Sequence, residues 1–234
     1  MIPPRLIAGY RAFRRGRFAR DQRKYEALAA LGQRPEIMVI GCVDSRCAPE
    51  TIFDAAPGEL LVVRNVANIV PAYDPDRATQ HGVSAAIEFG VQALAVRHIV
   101  VLGHAQCGGI QRFASDTEPL SEGDFIGRWM SQIAPAAARV QLRADDGSDE
   151  RLRALELAAV GLSLENLMTF PWIAAGVGRG ALELHGMHFG IATGELLVRD
   201  PQTGTFAPCR APRDSRLAIR STRPSRRWPR QARP

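Results

Sequence analysis

Lysine is almost missing from this sequence: Lys24 stands alone beside 29 arginines. That is a bias of composition and carries no functional reading of its own. Long apolar runs are also missing, and none approaches the roughly 20 residues that a membrane span needs. A membrane span is therefore not expected. The opening residues Met1-Ile2-Pro3-Pro4-Arg5 turn basic and amphipathic at once. With no apolar core segment and small-residue cleavage site after them, no secretory signal is expected, and a cytoplasmic location is the default expectation. Cysteine is scarce as well. Cys42, Cys47, Cys107 and Cys209 are too few and too scattered for a disulfide framework in a domain of this size. A lone cysteine reads first as a small buried hydrophobe, and only the neighbours of Cys42 and Cys107 change that reading.

What is present is an ordinary globular composition, 46% hydrophobic and 23% charged over 234 residues, enough for one sizeable domain. The net charge of +6 raises a nucleic-acid partner as a possibility, but its location argues against one. Residues 210–234 hold nine arginines and one aspartate, which leaves the first 209 residues at −2. The basicity belongs to a tail rich in Arg, Pro and Ser, too poor in apolar surface to offset chain entropy and expected to be disordered. The expected organisation is a single domain over 1–209, with residues 1–34 as a helical arm, followed by the tail 210–234.

Along the arm, Leu6, Ile7, Tyr10, Phe13, Tyr25, Leu28 and Leu31 recur at helical spacing, with Gly16 expected to separate two helices. Such an arm could pack on a partner subunit. Short continuous apolar runs at 36–42, 60–64 and 98–103 read as buried strands. Between the second and third, residues 82–96 read as a helix, and another is expected to start near Gly108-Gly109. This β-α-β alternation predicts an α/β fold: a mainly parallel β-sheet flanked by helices. Residues 115–123 read as a loop, 124–142 and 149–170 as helices, the second ended by Pro171. Residues 181–185 and 195–199 read as strands, with a turn over 200–204.

Two strands end in unusual residues, Cys42-Val43-Asp44-Ser45-Arg46 and Gly103-His104-Ala105-Gln106-Cys107-Gly108-Gly109. Ligands of open parallel sheets gather beyond the carboxyl ends of the strands, so neighbouring strands bring these motifs together. Cys42, His104 and Cys107 then form the thiolate and imidazole set that Zn2+ prefers, with the fourth tetrahedral position left to water. Asp44, two residues past a ligand, can accept a hydrogen bond from that water, and Arg46 can hold Asp44 ionised by a bidentate pair. A closed site with a fourth protein ligand, Cys47 or Asp44, is the alternative. Cys47 reads better as a small packed residue.

The two motifs resemble those of the β-class carbonic anhydrases. The likeness extends to Pro57-Gly58-Glu59-Leu60, Val63-Arg64-Asn65-Val66-Ala67-Asn68, Ser84–Phe89, Ser163–Leu167 and Ile191–Leu196, covering about residues 5–207. The resemblance implies reversible hydration of CO2 to bicarbonate by zinc-bound hydroxide. It implies one zinc per chain on Cys42, His104 and Cys107, with Asp44 and Arg46 as the catalytic dyad. It also implies Gln33, Leu61, Val66, Phe89 and the backbone N–H of Gly108 as substrate-binding groups, Phe89 standing where many members have tyrosine. The cleft of the family lies at a dimer interface, so a homodimer or a dimer of dimers is expected, with some of these groups supplied by the partner. In one branch, a tryptophan and a valine frame a bicarbonate pocket that favours closure by the aspartate. Val39 and Cys47 stand there instead, so the open site is expected. Hydrolysis of CS2 or COS on the same fold, or a non-catalytic zinc-stabilised binding protein, are the rival readings. His81, His98, His185 and His188 are left as histidines of unassigned role, none placed at the cleft.

Overall fold

The computed structural model describes residues 1–75, 82–115, 117–140 and 147–210. The tail expected over 210–234 lies, after Arg210, outside the described residues, as does His81. Six strands form one sheet in the order β2-β1-β3-β4-β5-β6. They are β1 (Ile37–Cys42), β2 (Leu60–Asn65), β3 (His98–His104), β4 (Glu183–Phe189), β5 (Leu196–Arg199) and β6 (Phe206–Pro208). The first four neighbours in that order run parallel, and β5 and β6 add antiparallel at the edge. The mainly parallel α/β fold is therefore what the chain adopts. Central strands buried on both faces need apolar residues at every position, and Met38, Val39, Ile40, Ile99, Val101 and Leu102 are each almost wholly buried. Met38, Ile40, Ile99 and Val101 pack on one face against Ile87, Val160, Leu167, Phe170 and Ile173. Val39 and Val100 look the other way, towards Phe53, Leu60 and Met187.

The helices differ from expectation in instructive places. The arm consists of α1 (Pro4–Phe13) and α2 (Ala19–Leu31), and Gly16 does not separate them. It sits in a π-helical turn, Arg14–Phe18, whose flanking residues keep right-handed helical angles, and Phe13, Phe18 and Tyr25 cluster there. Short α3 (Pro49–Ile52) follows β1. The helix expected over 82–96 is α4 (Gly82–Glu88) plus a π turn ending at Ala93, because Ala95 takes a left-handed φ of 54° and Val96 turns into the core. α5 (Gly108–Ala114) starts where expected. The stretch from 124 is broken into α6 (Phe125–Met130), a 3-10 turn and α7 (Ala134–Arg139). Pro135 has no N–H to donate and suits the first turn of a new helix. Residues 141–142 of that expectation lie outside the described residues. α8 (Ser148–Met168) is the long core helix. Pro171 does more than end it: it opens α9 (Pro171–Gly178), which the sequence reading missed. The strand expected at 181–185 runs instead from Glu183 to Phe189, and β6 was not expected at all.

Candidate metal centre

β1 and β3 are direct neighbours in parallel register, Gly41 opposite Leu102, so both end at one rim of the sheet. The loops that follow bring Cys42, His104 and Cys107 together, their donor atoms within 4.8 Å of one another and all three side chains buried. The two sulfurs lie 4.0 Å apart. The Nδ1 of His104 makes a 2.9 Å hydrogen bond with the Ala105 carbonyl, which fixes the tautomer with Nε2 free of hydrogen. That Nε2 is buried and has no hydrogen-bond partner among the described residues. An orphaned buried imidazole nitrogen beside two thiols costs free energy unless something else satisfies it, and a soft-tolerant divalent cation does so. The donor set therefore fits a metal ion.

Backbone donors steady the sulfurs. The Cys42 Sγ accepts the Ala67 N–H at 3.3 Å, and hydrogen bonding from Cys107, opposed by burial, pulls the Cys42 thiol down to about 4. Cys107 moves the other way, pushed up by its partner sulfur and by burial, although the Gly109 and Ile110 N–H groups at the start of α5 favour its thiolate. Ala67 and Asn68 hold left-handed angles, φ 61° and 48°. A non-glycine residue there needs outside support. It comes from Asn65, whose side chain bonds Ile69 through both its oxygen and its nitrogen, and from the Trp129 Nε1–H on the Val66 carbonyl at 2.8 Å. Gly109 lets α5 sit against this loop, since a Cβ there would stand 2.8 Å from Val66. Gly108 is exposed and open, with nothing within 4 Å of where its Cβ would be.

Asp44 and Arg46 form the expected fork, with Nε to Oδ1 at 2.9 Å and Nη2 to Oδ2 at 2.6 Å, and the Arg46 N–H adds a bond to Oδ1 at 2.9 Å. These bonds hold the Asp44 carboxyl well below its ordinary value against a small opposing effect of burial. Its Oδ2 lies 3.9 Å from the His104 Nε2, so the carboxylate faces the metal position while both its oxygens are engaged by Arg46. Arg46 also bonds the Gln106 carbonyl, tying the two motif loops together. Cys47 is buried and outside the donor cluster, and burial pushes its thiol up to about 11.

The remaining expected residues separate. Val66 packs with Cys42 and Cys107. Leu61 lies opposite Met38 in mid-sheet and packs in the main core, while Phe89, about half exposed, lies on the π turn after α4. Gln33 is exposed before the start of β1, a strand length of roughly 20 Å from Cys42. One chain therefore does not gather Gln33, Leu61 and Phe89 at the donors. His188 is buried with its Nε2 3.1 Å from Glu156, and His98 and His185 stand at the far end of the sheet.

Two positioning groups escaped the sequence reading. Glu156 is 4% exposed and accepts the Cys107 N–H at 3.0 Å. Arg64 donates to the carbonyls of Cys42 at 2.8 Å and Asp44 at 2.6 Å, holding the segment that carries the carboxylate. The signal for the first was legible. Along α8, Leu152, Glu156, Ala159, Ser163 and Leu167 share one stripe, and a carboxylate and a hydroxyl on a core stripe demand partners. Ser163 meets that demand by accepting the Val70 N–H and donating to the Asn68 carbonyl.

Comparison with known proteins agrees with this architecture. Residues 37–196 match the family described as carbonic anhydrase. Beta carbonic anhydrase 6, mitochondrial, of Arabidopsis thaliana is 35% identical over 182 residues, 77% of this chain, and the chain spans 61% of the length of that relative. The structure of the β-carbonic anhydrase CcaA superposes with a TM-score of 0.81 at 29% identity, covering 89% of this chain and 92% of that one. Tetrameric β-carbonic anhydrases from Sordaria macrospora give 0.70 at 28% identity, over 86% and 96%. With two thirds of its length matched, and the same sheet carrying the paired motifs at its rim, the chain belongs to the β-carbonic anhydrase family.

Proposed function

We propose that this protein is a zinc-dependent carbonic anhydrase that converts CO2 and water reversibly to bicarbonate and a proton. The observation that carries the reading is the Asp44–Arg46 fork facing a buried Cys-His-Cys donor set whose imidazole Nε2 has no hydrogen-bond partner among the described residues. Cys42, His104 and Cys107 are the zinc ligands in this reading, and zinc supplies the Lewis acidity that makes water nucleophilic near neutral pH. Asp44 accepts the hydrogen of the attacking oxygen and so aims its lone pair at the carbon of CO2. Arg46 keeps Asp44 anionic and fixed, which also holds it back from the metal as a fourth ligand. The Gly108 N–H, at the open start of α5, is placed to receive a substrate or product oxygen, and Val66 offers an apolar wall. One proton leaves for each bicarbonate formed.

The active form is a homodimer or a dimer of dimers. Support comes from apolar groups left bare on one chain: Val43 beside the ligand Cys42, Phe89 on its π turn, and Leu6, Ile7 and Tyr10 along α1. A second chain covering these groups would also bring Gln33, Leu61 and Phe89 to the cleft. The test is stopped-flow CO2 hydration by the purified protein before chelation, after it, and after zinc is restored. Hydration far above the buffer rate, lost and regained with one zinc per chain, is the expected result. A chain that holds its zinc yet hydrates CO2 no faster than buffer would overturn the proposal.

A further inference from the structure

We propose a second divalent-metal site, formed by His98, Glu183 and His185 at the end of the sheet opposite the Cys42–His104–Cys107 centre. His98 opens β3 and Glu183 opens β4, and the two are direct partners in register, with His185 opposite Val100. In parallel strands, residues two apart share a face, so all three side chains project from the same side of the sheet. The His98 Nδ1 lies 3.2 Å from the His185 Nε2, and each nitrogen lies 3.8 Å from the Glu183 Oε2. For a triangle of those sides, one point stands about 2.1 Å from all three atoms, the length of a Zn–N or Zn–O bond.

Two imidazole nitrogens and one carboxylate oxygen, without sulfur, select late first-row divalent cations such as Zn2+, Co2+ and Ni2+ over Mg2+ or Ca2+. Metal binding needs the imidazoles neutral. Burial, followed by the nearness of His98, lowers the His185 value, the direction that favours the neutral ring. A hydrogen bond between the two histidines satisfies one nitrogen pair but leaves Glu183 at 3.8 Å, too far to bond either ring. A cation between them satisfies all three. The histidines are about one-third exposed and Glu183 nearly two-thirds, so the ion has a path in and water can complete its coordination. The seven residues of β3 separate this group from His104 by roughly 20 Å. Occupancy therefore joins the starts of β3 and β4 and is not needed for chemistry at the other rim.

The experiment titrates untagged protein, already holding one zinc per chain, with Co2+ and follows both heat and visible absorption. Wild type is expected to take up one further equivalent, whose ligand-field bands appear without thiolate-to-cobalt charge transfer. His98→Ala and His185→Ala are each expected to weaken that second equivalent by about tenfold or more. Both variants should keep the wild-type circular dichroism and CO2 hydration. No second equivalent, uptake carrying thiolate charge transfer, or uptake unchanged in both variants would overturn the proposal.

Discussion

Glu156 Oε1 accepts the backbone N–H of Cys107 at 3.0 Å, reaching across 49 positions of sequence to hold a cysteine of the donor cluster by its main chain. Its other oxygen lies 3.1 Å from the His188 Nε2, and both side chains are almost fully buried. Glu156→Ala leaves a buried N–H and a buried imidazole without partners, a loss of about 1–3 kcal/mol for each unsatisfied group. The Cys107 loop then loosens, and metal affinity is expected to fall about 10- to 100-fold. Glu156→Gln keeps an acceptor for Cys107 and should lie between the two. Competition with a chelator measures this, and equal retention of metal in Glu156→Ala and wild type would contradict it.

The Asp44 carboxyl titrates below its ordinary 3.8, first because Arg46 hydrogen-bonds it and against a smaller effect of burial. A carboxyl depressed on folding contributes stability that is complete above its unfolded value and is lost as pH falls through the folded one. The melting difference between wild type and Asp44→Asn should therefore be constant from about pH 9 to pH 5, and narrow only below about pH 4. A difference that already halves between pH 7 and pH 5 would mean that Arg46 does not hold the carboxylate.

Thiol chemistry separates the four cysteines. Cys209 is exposed, whereas Cys47 is buried with its thiol pushed up to about 11, so very little thiolate is present near neutral pH. Cys42 and Cys107 are buried in the donor cluster. One thiol per chain is expected to react quickly with an aromatic disulfide reagent while metal is bound. Chelation should release Cys42, the thiol held down to about 4, as the next to react, with Cys107, pushed up by its partner sulfur and by burial, slower and Cys47 still silent. Rapid labelling of Cys47 in the metal-loaded protein would contradict its placement.

Leu6, Ile7 and Tyr10 lie bare along α1, at 62%, 40% and 60% exposure. If this stripe seats a second chain, the double substitution Leu6→Asp and Tyr10→Asp buries charge in that contact. The assembly should then dissociate to monomers at micromolar concentration, with hydration falling in step. Unchanged mass in sedimentation equilibrium would place the contact elsewhere.

The parallel strands were legible because central strands must be apolar throughout, as Met38-Val39-Ile40 and Ile99-Val100-Val101 are. The motif loops could be placed for the same reason, since register fixes where Cys42 and His104 end up. Proline was harder to read. The reading of 124–142 as one helix runs straight through Pro135, and Pro171 reads as a stop, yet each proline sits in the first turn of a new helix, where a missing N–H costs nothing. Gly16 looked like a break, but nothing lies within 4 Å of its Cβ position and the π turn carries the helix through it. Glu156 and Arg64 hid for another reason. Their partners are main-chain groups of Cys107, Cys42 and Asp44, and a backbone atom leaves no mark in a sequence pattern.

The most direct test of the account is CO2 hydration by Asp44→Asn with metal content measured on the same sample. The amide keeps the shape but loses the charge and one acceptor, so Arg46 no longer has an anion to hold. The account predicts zinc at one per chain, as in wild type, with hydration reduced about 100-fold or more. Wild-type hydration in Asp44→Asn at full zinc content would contradict the role given to the carboxylate.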